Sequence, residues 1–348
     1  MKESYCISTD KMNALLTELG KTYRILGPKR VGKLIRYGEV NTQKELVWQE
    51  KSHFSPKEVF YPIVQTLLYF SEDGVRESEL EDDRDVIIFL RPCDINGIRR
   101  LDTMFLKNGG QADNFYQRRR EKVKFFLMEC RESFETCFCV SMGSSRTDQY
   151  TAAFRFDAEG VSIQVNPHAR EEALGRELSR LLEGEERCDF TPEFVTENRR
   201  AVAVPEITDR SLVKEIHALP MWREFDESCI GCGGCNTVCI TCSCFDTTDV
   251  IYHETSRDGE RRRAWSSCML DSYSTMAGGH NVRARAGDRM RFKAMHKTYD
   301  FKARFGEENM CVGCGRCDMR CPKDIRFSET VDRLAHEVER LKRGEEAE

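Results

Sequence analysis

The chain has 348 residues, 40% of them hydrophobic, and its 54 lysines and arginines against 59 aspartates and glutamates give a net charge of −5. This length and composition predict a globular protein of about two domains with substantial hydrophobic cores, not a disordered chain. The mildly acidic balance, without a long basic face, argues against nucleic acid as the main partner.

Cysteine is the most distinctive residue of the composition, with 17 in the chain. The N terminus lacks the apolar segment of a secretory signal, so we expect the protein to be cytoplasmic, where cysteines stay reduced. The longest apolar runs, such as 86–90, are far shorter than the ~20 residues that cross a bilayer, which predicts no membrane association. Metal binding is then the first explanation for so many thiols.

Alternating helix and strand patterns fill the first two thirds of the chain. A 3.6-residue apolar stripe of Met12, Leu15, Leu16 and Leu19 predicts the first helix. The nearly continuous apolar runs 86–90 and 123–128 predict strands buried on both faces, with a helix over 95–106 between them. We therefore predict an α/β domain with a parallel sheet over residues 1–215.

Further along, residues 157–160 predict a hairpin turn, and apolar spacing predicts helices over 173–182 and 331–341. The last helix and its charged tail form a predicted C-terminal segment, 331–348. Between them, residues 216–330 contain the densest cysteine groups and are predicted to form a separate domain.

Two runs in this domain share the spacing C-x2-C-x2-C-x3-C. The first consists of Cys229, Cys232, Cys235 and Cys239, and the second of Cys311, Cys314, Cys317 and Cys321. In bacterial two-cluster ferredoxins, three cysteines of such a run bind one [4Fe–4S] cluster and the fourth binds the other. We therefore assign one cluster to Cys229, Cys232, Cys235 and Cys321, and a second to Cys311, Cys314, Cys317 and Cys239.

The surroundings of the two runs differ from a compact ferredoxin. Residues 240–310 separate them, and 290–302 has helical spacing, so the predicted domain is a helically elaborated two-[4Fe–4S] ferredoxin type. Pro322 follows the fourth cysteine of the second run, whereas Ile240 occupies that place in the first. A cysteine-rich zinc scaffold is the alternative from another class, but zinc favours pairs of C-x2-C ligands.

Nine cysteines lie outside the two runs. Four of them, Cys93, Cys130, Cys137 and Cys139, are candidate ligands of a third [4Fe–4S] cluster, because two of them follow predicted strands. Three more, Cys242, Cys244 and Cys268, either complete a cluster or pack beside one. The isolated Cys6 and Cys188 are interpreted as ordinary thiols.

Short motifs accompany the runs along nearly the whole chain. They are Arg91-Pro92-Cys93-Asp94, Cys137-Phe138-Cys139, Cys239-Ile240-Thr241-Cys242-Ser243-Cys244, Arg263-Ala264-Trp265-Ser266-Ser267-Cys268 and Ala277-Gly278-Gly279-His280-Asn281. This ordered set resembles the iron–sulfur subunits of anaerobic sulfite reductases. The beta subunits of soluble sulfhydrogenases are similar in the same motifs, but have Cys-Pro where this chain has Cys239-Ile240.

The resemblance implies an electron-transfer subunit of a cytoplasmic, NADH-dependent sulfite reductase complex. In such a complex a flavin subunit oxidises NADH, this subunit relays electrons, and a siroheme subunit reduces sulfite to hydrogen sulfide. We expect no flavin, siroheme or catalytic residue on this chain, because it lacks a G-x-G-x-x-G dinucleotide fingerprint and a G-x-S-x-G elbow and gives no independent evidence of a siroheme site. The runner-up is the equivalent subunit of a sulfhydrogenase.

Overall fold

The computed structural model describes residues 3–80, 82–158, 160–170, 172–306 and 308–345. Its strands are β1 (Ser4–Ile7), β2 (Arg24–Val31), β3 (Leu34–Glu39), β4 (Val64–Ser71), β5 (Gly74–Glu77), β6 (Val86–Leu90), β7 (Val123–Met128), β8 (Ala152–Phe156), β9 (Val161–Val165), β10 (Phe245–Ile251) and β11 (Gly259–Trp265). They form two sheets, one of seven strands and one of four.

The helices are concentrated around the first sheet and in the last third of the chain. They are α1 (Thr9–Leu19), α2 (Pro92–Leu106), α3 (Asn114–Glu121), α4 (Ala173–Leu181), α5 (Leu212–Ala218), α6 (Glu224–Ser228), α7 (Gly234–Thr237), α8 (Ala286–Met295), α9 (Phe301–Phe305), α10 (Arg316–Arg320) and α11 (Phe327–Lys342). Single 3-10 turns span Gln43–Glu45, Pro56–Val59, Pro167–Ala169, Pro220–Arg223 and Ser272–Ser274.

The seven-stranded sheet has the order β1-β9-β8-β7-β6-β2-β3. Its four central strands, β2, β6, β7 and β8, are parallel, and the strands outside them are antiparallel. All five residues of β6 are buried, which fits its nearly continuous apolar sequence. The predicted pair of buried parallel strands and the helix after the first of them are therefore confirmed.

Helices cover both faces of this sheet. The stripe of α1 is buried against one face together with residues of α4. The opposite face packs on α2 and also on Ile240, Val312 and Cys314, which belong to the cysteine-rich part of the chain. The first helix is therefore present as predicted, and the second face of the sheet directly supports the cysteine runs.

The four-stranded antiparallel sheet has the order β10-β11-β4-β5. It joins strands from both sides of residue 215, because β11 pairs with β4 along its length. The fold is thus a mixed α/β structure, while the predicted domain limits 1–215, 216–330 and 331–348 stay a prediction. No helix within the described ranges is both long and apolar enough to span a bilayer.

The remaining predicted elements are also present in the described parts of the chain. At the turn between β8 and β9, Asp157 N–H donates to the Gly160 carbonyl oxygen at 3.0 Å, while Glu159 lies outside the described residues. The predicted C-terminal helix is α11, and the last residues of its tail, 346–348, lie outside them as well. The predicted helical stretch 290–302 belongs to α8, a π-helical turn over His296–Asp300, and α9.

A buried ion pair connects the sheet to the second cysteine run. Arg316, the first residue of α10, donates to the two carboxylate oxygens of Asp94 on α2 at 2.6 and 3.0 Å. The side chains of Arg316 and Asp94 are 1% and 0% exposed. The guanidinium also donates to the carbonyl and hydroxyl oxygens of Ser52, and the Tyr37 hydroxyl donates to Asp94. Because these partners satisfy both charges, the ion pair fixes the position of the second cysteine run relative to α2 and the sheet.

Replacing Arg316 with Met should destabilise the protein by about 3–5 kcal/mol, because the Asp94 carboxylate is left buried without its partner. The matched control is Arg261→Met, which removes the exposed pair between Arg261 and Asp249 and should cost less than about 1 kcal/mol. Urea midpoints measured by circular dichroism on the two variants check this. Equal shifts for both variants would contradict the anchoring role.

Candidate metal centre

Each cysteine run folds as a tight loop that leads into a short helix, and this helix contains the third cysteine of the run, Cys235 in α7 and Cys317 in α10. The loop of the second run packs closely on residues 136–138. A Cβ on Gly315, whose φ is +67°, would lie 1.9 Å from the Thr136 carbonyl oxygen, so only glycine fits there. Phe138 N–H also donates to the Gly313 carbonyl oxygen at 2.8 Å.

One cavity opens beside the first run. Its thiols are those of Cys229, Cys232, Cys235, Cys317 and Cys321. Cys321, the fourth cysteine of the second run, thus lies with the first three of the other run. We call this space the first cavity. Cys232 is exposed at its rim, next to Ile230, which is 62% exposed.

A second cavity lies deeper in the molecule. Its thiols are those of Cys235, Cys239, Cys311, Cys314 and Cys317. Cys239, the fourth cysteine of the first run, therefore lies with the first three of the second run. Cys235 and Cys317 line both cavities, so the two spaces are immediate neighbours. This arrangement brings together the two crossed sets that the spacing predicts, and their ligation stays a prediction.

Burial favours the protonated form of the Cys311 and Cys314 thiols, whereas hydrogen bonds from Cys242 and Thr241 lower the pKa of Cys239. Burial raises the pKa of Cys311 to about 12, and burial also raises the pKa of Cys314. A thiolate, not a thiol, binds iron, so each protonated ligand releases its proton when it binds. Each thiolate of a cubane binds a different iron, so the ligands need not converge on one point. Among the described residues, no three His, Cys, Asp or Glu side chains are placed to hold a single metal ion.

Comparison with known proteins identifies the domain to which both runs belong. Residues 228–325 match the model of the 4Fe-4S dicluster domain, which contains both runs. A curated relative, sulfhydrogenase 2 subunit beta of Pyrococcus furiosus, is 30% identical over 328 residues, which are 92% of this chain and 93% of the relative. The chain belongs to the sulfhydrogenase beta-subunit family. No solved structure gives a significant match.

The dicluster match implies two [4Fe–4S] clusters. Together with the family, it identifies the chain as an iron–sulfur electron-transfer protein. The runs that carry the match are those that line the two cavities. Thiol-rich cavities of this kind fit the clusters, and the residues that would hold them are the two crossed sets of four cysteines. When bound, the clusters supply one-electron redox chemistry.

The four candidate ligands of a third cluster lie near one another on the sheet side of the second cavity. Cys137 and Cys130 are electrostatic neighbours of the Cys139 thiol, and Cys139 and Cys314 are neighbours of the Cys93 thiol. Burial raises the pKa of Cys139 to about 11 although the Asn198 amide donates to its sulfur at 3.5 Å. The Cys137 thiol donates to the Cys314 carbonyl oxygen at 3.7 Å. This grouping supports a third cluster, which remains a proposal.

Of the three uncertain thiols, one pairs with a cysteine of the first run and the other two pair with each other. Cys242 hydrogen-bonds the Cys239 thiol at the second cavity. Hydrogen bonds from Cys268 and Tyr273 lower the pKa of Cys244 to about 6, and the Asn236 amide donates to Cys268 at 3.1 Å. These contacts place the three thiols beside the runs, and whether they complete a cluster stays untested.

Other site features could not be predicted from the sequence. Cys6 and Cys188, isolated in sequence, are hydrogen-bonded neighbours because β1 pairs with Arg187. The buried lysines Lys51, Lys57, Lys293 and Lys297 surround the runs, and no spacing signal distinguishes them from surface lysines. Ile240, in place of proline, packs on Gly97 of α2, where a Cβ would lie 2.5 Å from its side chain.

A third cluster predicts about twelve irons per chain in anaerobically loaded protein, compared with about eight for two clusters. Cys130→Ala should remove about four irons together, because a cubane is lost as a unit. Cys188→Ala, a substitution of a half-buried thiol outside the cavities, is the control and should remove none. Iron and acid-labile sulfide analysis checks both variants, and eight irons in fully loaded wild-type protein would rule out the third site.

Proposed function

We propose that this chain is the electron-transfer subunit of a cytoplasmic oxidoreductase complex of the sulfhydrogenase type. The observation that carries the proposal is the pair of adjoining thiol-lined cavities, which share Cys235 and Cys317. Adjoining redox centres suit the passage of single electrons, whereas one isolated centre would not connect two partner subunits. The relative's printed name, a sulfhydrogenase beta subunit, supports the same role.

The difference in exposure between the two cavities supports a path for electrons from the surface into the interior of the molecule. The first cavity reaches the surface at Cys232, while Cys314 in the second is only 7% exposed. Beyond Cys314, toward the sheet, lie Cys93 and Cys137. We propose that one partner subunit docks at the first cavity, and that the candidate third site continues the series toward a second partner.

A sulfite reductase complex is the second candidate, and Ile240 is the observation that favours it. Sulfhydrogenase beta subunits have proline at this place in the resemblance described above, whereas Ile240 here fills the space beside Gly97. In this candidate the partners are a flavin subunit that oxidises NADH and a siroheme subunit. Metal and pigment analysis of the complex purified under anaerobic conditions separates the two, since nickel identifies a hydrogenase partner and siroheme a sulfite reductase partner.

Both candidates predict the same defect when the second cavity loses its cluster. In the purified complex, Cys314→Ser should reduce electron transfer between the partner subunits by about 100-fold or more, because the middle of the relay is missing. Each partner should keep its own activity with an artificial electron donor or acceptor. Turnover of the whole complex, measured beside the iron content of the variant, checks this.

Cys6→Ser is the matched control, since Cys6 lies on β1, outside both cavities, and should leave turnover unchanged. Full turnover by a Cys314→Ser complex that demonstrably lacks its cluster would contradict the relay. So would oxidation of hydrogen or reduction of sulfite by the isolated chain.

A further inference from the structure

Four lysines are buried around the cysteine runs. Lys57 and Lys293 are each 2% exposed, Lys297 is 3% exposed and Lys51 is 7% exposed. Lysine is almost never fully buried unless it is paired with an opposite charge. Within the described ranges, however, the ammonium contacts of these four residues are carbonyls, hydroxyls, thiols and aromatic rings, and none forms an ion pair with a carboxylate.

An unpaired ammonium in a protein interior is costly, because transfer from water to a medium of low dielectric disfavours the charged form. Four such groups in one region therefore require buried negative charge nearby. The thiols of the two cavities are the groups around them that acquire this charge when iron binds. Four thiolates around one [4Fe–4S] core leave a net charge of about −2 per cluster in the oxidised state.

Lys297 has the most direct connection to the second cavity. Its ammonium group donates to the Thr241 hydroxyl at 2.7 Å and to the Thr241 carbonyl oxygen at 3.0 Å. The same hydroxyl lies 3.4 Å from the Cys239 sulfur. The Lys297 ammonium group is therefore connected through one hydroxyl group to a predicted ligand of the second cluster.

Lys51 and Lys57 approach the same cavity from the sheet side. Lys51 donates to the Cys314 carbonyl oxygen at 2.6 Å and to the Cys137 sulfur at 3.4 Å. Lys57 donates to the Cys242 carbonyl oxygen at 3.1 Å and lies 4.0 Å from the centre of the Trp265 ring. Both ammonium groups are thus held in place by backbone groups of the cysteine-rich segments.

Lys293 lies between the two cavities and lines both of them, and it hydrogen-bonds the Cys235 thiol. Lys297 lines the second cavity alone. The other lysine at the first cavity, Lys323, is exposed, so water screens its charge. The buried guanidinium near Gly231 of the first run, that of Arg289, is paired with Asp271. In the described part of the chain, the buried positive charge without a carboxylate partner is therefore concentrated at the second cavity.

A buried carboxylate that is not paired with an arginine among the described residues, that of Asp318, opposes this charge. Asp318, 7% exposed, lies 3.5 Å from the Cys317 sulfur, and burial together with this carboxylate raises the pKa of Cys317. Asp318 is, however, occupied at the start of α11, where it accepts from Phe327 N–H at 2.7 Å and from the Ser328 hydroxyl at 2.6 Å. Because Cys317 lines both cavities, this carboxylate does not favour one over the other.

We propose that Lys51, Lys57, Lys293 and Lys297 are the counter-charges of the buried clusters, and that their uneven distribution makes the cluster of the second cavity the easier one to reduce. The inference rests on the proposed relay and its crossed ligand sets. Reduction adds one negative charge to a cluster, and a nearby fixed ammonium stabilises that charge more strongly in an interior of low dielectric than at the surface. The electron should therefore reside in the buried centre.

The test is a redox titration of the intact iron-loaded chain, followed by electron paramagnetic resonance, on Lys297→Met, Lys293→Met and Lys297→Arg. Lys297→Met should lower the midpoint potential of the more easily reduced cluster alone. We expect at least a tenfold fall in its ratio of reduced to oxidised form at a fixed potential, which is 59 mV for a one-electron couple. Lys293→Met should lower both potentials, and Lys297→Arg should restore the wild-type value.

Lys302→Met is the matched control, because Lys302 is exposed on α9 just beyond the same helical stretch. It should change neither potential. Unchanged potentials in an iron-loaded Lys297→Met chain would overturn the proposal, and so would an equal shift of both clusters.

If Lys297→Met fails to take up iron, the arginine variant decides the matter. Iron uptake by the Lys297→Arg chain supports a requirement for positive charge at this position. If the Lys297→Arg chain also takes up no iron, the proposed role of the lysine charge is overturned. The iron content of the wild-type chain is measured in parallel. Fewer than about eight irons would contradict the proposed relay itself, whereas full loading with unchanged potentials contradicts only the role of the lysines.

Discussion

Each of the two cavities contains a cysteine from the other run, and the rest of the cysteine-rich region is organised around this exchange. Cys239 and Cys321 can occupy their places only if the two loops lie side by side, although residues 240–310 separate them in sequence. The intervening segment therefore has to leave the site and return, and it does so as β10, β11 and the α8–α9 stretch. One face of the large sheet then closes the second cavity from outside, through Ile240, Val312 and Cys314.

Because the second cavity is enclosed, it requires compensating positive charge, and the segments that enclose it supply that charge. A buried site that gains negative charge when iron binds is stable only beside positive charge or hydrogen-bond donors. Lys57 comes from the N-terminal half, and Lys293 and Lys297 come from the returning helix, so both sides of the cavity contribute. The Arg316–Asp94 pair is neutral as a unit and has a different role, which is to hold the second run against α2.

The sequence predicted the elements whose signal is local. Apolar periodicity identified α1, β6, β7 and α11, and the repeated spacing identified the two cysteine runs. Features that depend on distant contacts were not predictable. β10 is mostly exposed and rich in polar residues, so it carries no alternating apolar pattern, and its sheet partners could not be inferred. The buried lysines and the Cys6–Cys188 contact likewise arise only once the chain is folded.

Crossed ligation is the central claim, and the positions of the irons test it most directly. A crystal structure of the anaerobically purified chain, with anomalous difference maps recorded at the iron absorption edge, would locate the metals without assuming their ligands. The account predicts one cluster bound by Cys229, Cys232, Cys235 and Cys321 and another bound by Cys311, Cys314, Cys317 and Cys239. Iron held by Cys239 together with Cys229, Cys232 and Cys235, or single metal ions in place of clusters, would contradict it.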